Sequence, residues 1–217
     1  MRVFAACVAV ALCGACGQPD APQPSGPPSS SRAAGVNLSA VDRVRGDLPA
    51  GYEVAEIAGR AAPLAFWGFG PQWVADPTQC AVLADPAADD ATIRGWSASG
   101  PGGIVYVVAA TAVTRPDADL IGGCGTWTLS AGYTSGTVTA VDGPAIEAAT
   151  TLGLRTDANT VVEGGTETHS HADTFTAYLD GYVAFTTVVT DPGSSGPALG
   201  ADFAATLLVK TVSALRA

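Results

Sequence analysis

Residues 173–190 read Asp-Thr-Phe-Thr-Ala-Tyr-Leu, then Asp180-Gly181, then Tyr-Val-Ala-Phe-Thr-Thr-Val-Val-Thr. Two runs rich in β-branched and aromatic residues flank an Asp-Gly pair, the pattern of a hairpin closed by a type I′ turn. A two-residue turn sets Leu179 opposite Tyr182, Ala177 opposite Ala184 and Phe175 opposite Thr186. One face then carries Phe175, Ala177, Leu179, Tyr182, Ala184, Thr186 and Val188. The other carries Thr174, Thr176, Tyr178, Val183, Phe185 and Thr187. The first face holds fewer threonines and is the expected core face, because register fixes which side chains are buried.

Elements of both kinds precede and follow this hairpin. Asn37 or Ser39 is placed to cap a short helix over 40–44, with Val41, Val44 and Leu48 on one side. Tyr52, Val54 and Ile57 suggest a first strand with Glu53 and Glu56 outward. Asp76-Pro77 suggests a helix start that carries Cys80, Val82 and Leu83 and stops before Pro86. Strands are expected over 93–99, 104–113, 126–133 and 137–141, with a weaker one at Leu152 and Leu154. Residues 197–217 place Phe203, Leu207, Leu208, Val212 and Leu215 along one helical stripe. The expected class is α+β: an antiparallel sheet with helices packed mainly on one face and a C-terminal helix returning across it.

The N-terminal part is of a different kind. Arg2 precedes an apolar run from Val3 to Leu12, too short to span a membrane, and then Cys13-Gly14-Ala15-Cys16. Gly14-Ala15-Cys16 resembles the box that ends a bacterial lipoprotein signal, with Cys13 where a leucine is usual. The expectation is a signal peptide over 1–15 and an acyl lipid, of the palmitate kind, on Cys16. That would hold the protein on the extracytoplasmic face of the cell membrane. Residues 16–35 are dominated by Pro, Ser and Gly and cannot bury a core, so they read as a disordered tether. Extended as polyproline II, its Pro-rich part would reach about 50 Å at ~3.1 Å per residue. Residues 36–217 suit a single domain.

Composition narrows the function. The chain is 47% hydrophobic and 14% charged, with a net charge of −10. Such acidity argues against nucleic acid and against anionic headgroups as partners. With Cys16 lipidated and the signal removed, Cys80 and Cys124 remain, and in an oxidising compartment a disulfide is the simplest reading. Two buried free thiols are the alternative.

Catalytic fingerprints are incomplete. Gly95-Trp96-Ser97-Ala98-Ser99 lacks the last glycine of a nucleophile elbow. Gly68-Phe69-Gly70 begins a dinucleotide fingerprint that fails at Trp73, so no cofactor is expected. Glu167, His169, His171 and Asp173 alternate, so on an extended strand they share one side at a spacing of about 6.6 Å. Two imidazoles and a carboxylate at that spacing suit a metal ion; a hydrated lead-in to the hairpin is the plainer reading. Trp67, Trp73, Trp96 and Trp127 belong to a core or to a pocket, and the segment holding Trp67, Phe69 and Trp73 is the expected pocket wall or lid.

Several motifs together resemble a known family. They are Leu48-Pro49-Ala50-Gly51-Tyr52, Ala65-Phe66-Trp67-Gly68, Trp73 with Asp76-Pro77 and Cys80, Val188-Val189-Thr190-Asp191-Pro192-Gly193, and Leu207-Leu208-Val209-Lys210. With these the chain is similar to mycobacterial lipoproteins carrying a C-terminal domain of unknown function. More distantly it resembles the extracellular sensor domain of a mycobacterial serine/threonine kinase. The resemblance implies an α+β envelope domain and assigns no catalytic residue. The expected function is therefore a lipid-anchored, non-enzymatic domain that binds an envelope ligand or protein. The alternatives are a carrier of apolar envelope lipids and a metal-dependent enzyme using His169 and His171.

Overall fold

The computed structural model describes residues 35–59, 61–87, 91–111, 115–190 and 196–217. The signal, Cys16 and nearly all of the expected tether lie outside the described residues, as do Val113 and Asp191–Gly193. Residues 34–217 form one compact unit.

A 3-10 helix over Leu38–Asp47 opens the described chain, capped by Asn37, whose side chain accepts from the Ser39 amide at 3.2 Å. There follow β1 (Glu53–Glu56), α1 (Pro63–Phe66), β2 (Val74–Asp76), a 3-10 turn at Thr78–Cys80, α2 (Ala81–Ala84), β3 (Ile93–Gly100) and β4 (Gly103–Thr111). Then come α3 (Ala118–Gly123), β5 (Thr126–Ala131), β6 (Thr134–Asp142), β7 (Thr150–Val161), β8 (Glu167–Leu179), β9 (Tyr182–Thr190) and α4 (Ala201–Arg216). The strands form one sheet in the order β1-β3-β4-β9-β8-β7-β6-β5-β2. Every neighbouring pair is antiparallel. The domain is α+β and dominated by strands.

The hairpin β8–β9 occupies the middle of this sheet. Leu179 faces Tyr182, Ala177 faces Ala184 and Phe175 faces Thr186. The turn itself differs from expectation. Gly181 has φ +72°, whereas Asp180 is not among the residues with positive φ, so the pair follows a type II rather than a type I′ pattern.

One face of the hairpin packs as the sequence implies. Phe175, Ala177, Leu179, Ala184 and Val188 meet Leu207, Leu208, Val212 and Leu215 of α4 and Val41 and Val44 of the 3-10 helix. Thr186, the polar residue on this face, donates its hydroxyl to the Ala204 carbonyl at 2.7 Å. Trp96 donates Nε1 to the Val41 carbonyl at 3.0 Å. Gly153 is required here, since a Cβ on it would come within 2.6 Å of the Phe175 ring and of Val141 Cγ2.

The expectation that helices cover mainly one face is corrected. The second face is covered as completely, by the crossing segment 61–87. Leu64, Trp67 and Phe69, with Leu83, Ala84 and the bonded pair Cys80–Cys124, pack on Trp127, Leu129, Val138, Leu152 and Leu154. Phe66 stacks on Tyr106 at 4.0 Å between ring centroids, and Ala61 reaches Phe185 and Val108. Thr174, Thr176 and Thr187 are fully buried in consequence. Thr174 and Thr187 are tolerated because Trp67 Nε1 donates to Thr174 Oγ1 at 2.9 Å and the two threonines share a hydroxyl bond at 2.8 Å, whereas Thr176 Oγ1 has no partner among the described residues. The short apolar helix α1 supplies both the cover and the donor.

Smaller corrections follow from edges and turns. β1 is an edge strand with all four residues exposed, so Val54 is not turned inward as the alternation suggested. Asp76 ends β2, and Pro77 precedes a 3-10 turn that only then leads into α2. The weak strand at Leu152 is twelve residues long, because β6 and β8 pair along both of its sides.

Candidate functional site

The antiparallel register stacks side chains into rows that cross β2, β5, β6, β7 and β8 on the α4 side of the sheet. One row holds Val74, Ser130, Ser135, Asn159 and His169. The next holds Asp76, Thr128, Thr137, Asp157, His171 and Thr190. A third runs through Thr126, Thr139, Arg155 and Asp173 to buried Val188. Alternate positions on these strands, such as Trp127, Leu129 and Val138, point to the second face and its core. The result is a hydroxyl-rich surface on a strand framework fixed from below.

A shallow groove of about 720 Å³ lies on this surface. Thr128, Ser130, Ser135, Thr137, Asp157, Asn159, His169, His171 and Thr190 line it, with the intervening Leu129, Gly136, Ala158 and Ser170. Its floor is thin at Gly136. A Cβ there would come within 2.9 Å of Phe69 Cζ on the other side of the sheet.

Its charged groups are mutually engaged. His171 Nδ1 lies 2.7 Å from Asp157 Oδ1, and Nε2 lies 3.4 Å from Asp173 Oδ2. Asp173 also faces Arg155 Nε at 3.5 Å. A ring protonated on both nitrogens would satisfy both carboxylates, and a neutral ring one of them. The His169 side chain is 74% exposed, with Nε2 3.9 Å from Glu167 Oε2. That carboxylate accepts from Asn159 Nδ2 at 3.1 Å.

The sequence-derived candidates divide accordingly. Glu167, His169, His171 and Asp173 do share one side of β8. They do not converge on a point, because both nitrogens of His171 are directed at separate carboxylates and His169 leans to Glu167. Among the described residues, no three His, Cys, Asp or Glu side chains are arranged to hold a metal ion. Trp67 and Phe69, expected as pocket wall, are 2% and 4% exposed and form core beneath the sheet. Trp73 packs at the margin of the same core. The apolar segment turns inward because the second face needs a cover. Ser97 lies within β3, opposite Tyr106, in a strand and not in an elbow. Asp157, Asn159 and the serine–threonine rows were missed. Their signal was the alternation Thr126-Trp-Thr128-Leu-Ser130 and Ser135-Gly-Thr137-Val-Thr139, which marks a polar face without showing that neighbours gather it into one surface.

The chain belongs to the family described as "Domain of unknown function (DUF5642)", whose profile matches residues 37–216. Among solved structures it is similar to an uncharacterised protein, the Rv0999 ortholog from Mycobacterium smegmatis. That match has a TM-score of 0.62 at 18% identity and covers 84% of this chain and 98% of the other. The similarity is one of fold. A looser similarity links it to the extracellular domain of PknH from Mycobacterium tuberculosis, with a TM-score of 0.42 at 15% identity over 83% of this chain and 93% of that one. No curated protein matches the chain.

Proposed function

We propose that this chain is a lipid-anchored, extracytoplasmic binding domain that does no chemistry of its own and takes its ligand on the polar face of β5–β8. One observation carries this reading. Elsewhere the two sides of the central strands are packed beneath helices or the 61–87 segment, whereas no described residue covers this surface of hydroxyl, amide and carboxylate groups. Rigid strands with exposed, alternating polar side chains present a preorganised surface. The open form of this groove weighs against a carrier of apolar lipids, which needs an enclosed cavity. The engagement of both His171 nitrogens weighs against a metal enzyme at that run.

The position of the groove fits an anchored protein. The Asn37 amide donates to the Leu215 carbonyl at 2.8 Å, and Arg216 bonds the Glu147 and Ala148 carbonyls just before β7. The described chain therefore begins at the end of the sheet where Thr150 pairs with Tyr178. Asp157 lies about 23 Å further along β7, at ~3.3 Å per residue. A membrane attachment at Cys16 would join the domain at the far end from its groove.

Two measurements test the reading. Cys16→Ser should abolish acyl-chain incorporation and retention in the membrane fraction; unchanged labelling would overturn the anchor. Isotope-labelled full chain in detergent, titrated with envelope carbohydrate, lipid and peptide fractions, should show amide shifts at Thr128, Thr137 and Asp157. Shifts confined to residues outside the groove would overturn the face.

A further inference from the structure

The chemistry of the lining narrows the ligand class, and this step rests on the binding reading above. We infer that the groove takes a neutral glycan, an internal stretch of a polysaccharide.

Three properties of the surface lead there. The first is its charge. Among the described residues no Lys or Arg lines the groove, and Arg155 in the next row is paired with Asp173, so a phosphate, sulfate or nucleic acid finds no unpaired cationic partner in the lining. The carboxylate in it, Asp157, is 70% exposed and shares a hydrogen bond with His171 Nδ1 at 2.7 Å; it repels an anionic ligand and can accept from a sugar hydroxyl. The second is the density of hydroxyls. Thr128, Thr137 and Thr190 lie in one row, and Ser130, Ser135 and Asn159 extend the next. Neighbouring strands stand about 4.8 Å apart, and successive rows about 6.6 Å apart. Each hydroxyl both donates and accepts, and so does each hydroxyl of a sugar.

The third is an exposed aromatic residue in the turn next to the lining strands. Tyr133 is 83% exposed, in the turn that joins Ser130 on β5 to Ser135 on β6. The Val161 amide donates to the Tyr133 carbonyl at 3.0 Å, which holds the turn against the end of β7. An exposed aromatic face offers apolar contact to the C–H side of a sugar ring while its hydroxyl stays wet. The shallow, open groove suits a chain passing across it better than a small molecule enclosed on most sides.

An extended peptide is the nearest competitor and is disfavoured by topology. Peptides that add to sheets do so through free backbone groups at an edge. Along the lining β5, β6 and β7 are paired on both sides, and among the described residues the open backbone is confined to Glu167–Ser170 on the β9 side of β8, so most of the groove offers side chains and no open ladder.

The test uses isotope-labelled full chain in detergent and a panel of neutral hexasaccharides spanning pyranose and furanose rings. The comparison probes are a phosphorylated hexasaccharide and an uncharged peptide of similar length. Saturable shifts at Thr128, Ser135, Thr137 and Asn159 with at least one neutral sugar are expected. Tyr133→Ala should weaken that binding by about tenfold, the loss of one aromatic contact, and Thr137→Val by a few-fold. Both sites are exposed, and an unchanged spectrum away from each substitution confirms folding. If only the peptide or the phosphorylated probe shifts the groove residues, the glycan assignment is overturned while the binding face stands. If no probe and no envelope fraction shifts them, both readings fall. Sugar binding that Tyr133→Ala and Thr137→Val leave unchanged also overturns the proposal.

Discussion

One side of β8 runs through two environments. Glu167, His169 and His171 meet solvent, and four residues later Phe175, Ala177 and Leu179 lie on the same side beneath α4. The boundary is Asp173, 8% exposed and paired with Arg155 and His171. Strand geometry is the same throughout, so the difference comes from what covers it. α4 and the 3-10 helix reach over the half toward Leu179 and leave the half toward Glu167 bare. On the reverse side burial reaches further, from Tyr178 to Ala172, and only the start of the strand at Thr168 is exposed. A sheet held firmly by one face can expose half of the other without losing its core. That is how a polar surface of this size is carried on central strands.

Paired substitutions would break this contrast if it is wrong. Phe175→Ala should cost about 3–5 kcal/mol in denaturant unfolding, as buried phenylalanines do. His169→Ala, on the same side of the same strand, should stay within about 0.5 kcal/mol. Comparable losses would mean that the two halves are not distinguished. The reverse face gives the next largest effect. Replacing Cys80 and Cys124 with serine opens a link across 44 residues and should lower stability by about 4 kcal/mol on loop-entropy grounds. Native thiol alkylation that labels both cysteines in the unmodified protein would remove the basis for that figure.

A finer contrast lies within the buried threonines. Thr174→Val strands the Trp67 indole N–H and should cost about 1–3 kcal/mol. Thr176→Val removes a buried hydroxyl that has no hydrogen-bond partner among the described residues, and should be neutral or stabilising. Equal losses would show that the indole bond contributes little. The smallest effect is one of pH. Burial pushes the Tyr178 phenol up from its ordinary range, and its hydroxyl has no partner among the described residues. The folded state thus keeps a proton that the unfolded state releases. Stability from this group is whole below about pH 10 and falls as pH rises past it. Melts at about pH 8 and about pH 11 should show a larger drop for the native chain than for Tyr178→Phe, and identical drops would contradict the assignment.

How much of this was legible in the sequence depends on range. The hairpin register was readable because the Asp-Gly turn and the flanking runs are local. The α4 stripe and the Val41–Val44 pair were readable for the same reason, through helical spacing. The burial of Thr174, Thr176 and Thr187 was not. Three threonines on a face look like a solvated face until a tryptophan 107 residues away in sequence supplies a donor. The groove was half legible. The alternation at His169 and His171 was visible, but their partner Asp157 comes from a neighbouring strand that looked weak. Phe69 and Trp67 looked like pocket residues because aromatic, glycine-rich segments suit both roles, and only the need to cover the second face decides between them.

The meeting of the first and last described elements has a mechanical consequence. On the proposed reading, a chain anchored through its N-terminal part and bound at its groove would carry load, and tension would reach the domain at Asn37. There the hydrogen bond from the Asn37 N–H to the Leu215 carbonyl, that from the Trp96 indole to the Val41 carbonyl and the Lys210–Asp47 ion pair clasp the 3-10 helix to α4 and β3. These few links would be strained before any of the long inner ladders, so pulling should first peel this helix and bare Val41, Val44 and the stripe beneath. Force spectroscopy from the N-terminus should register a small early step ahead of sheet rupture, and its absence would show that the clasp and the sheet yield as one.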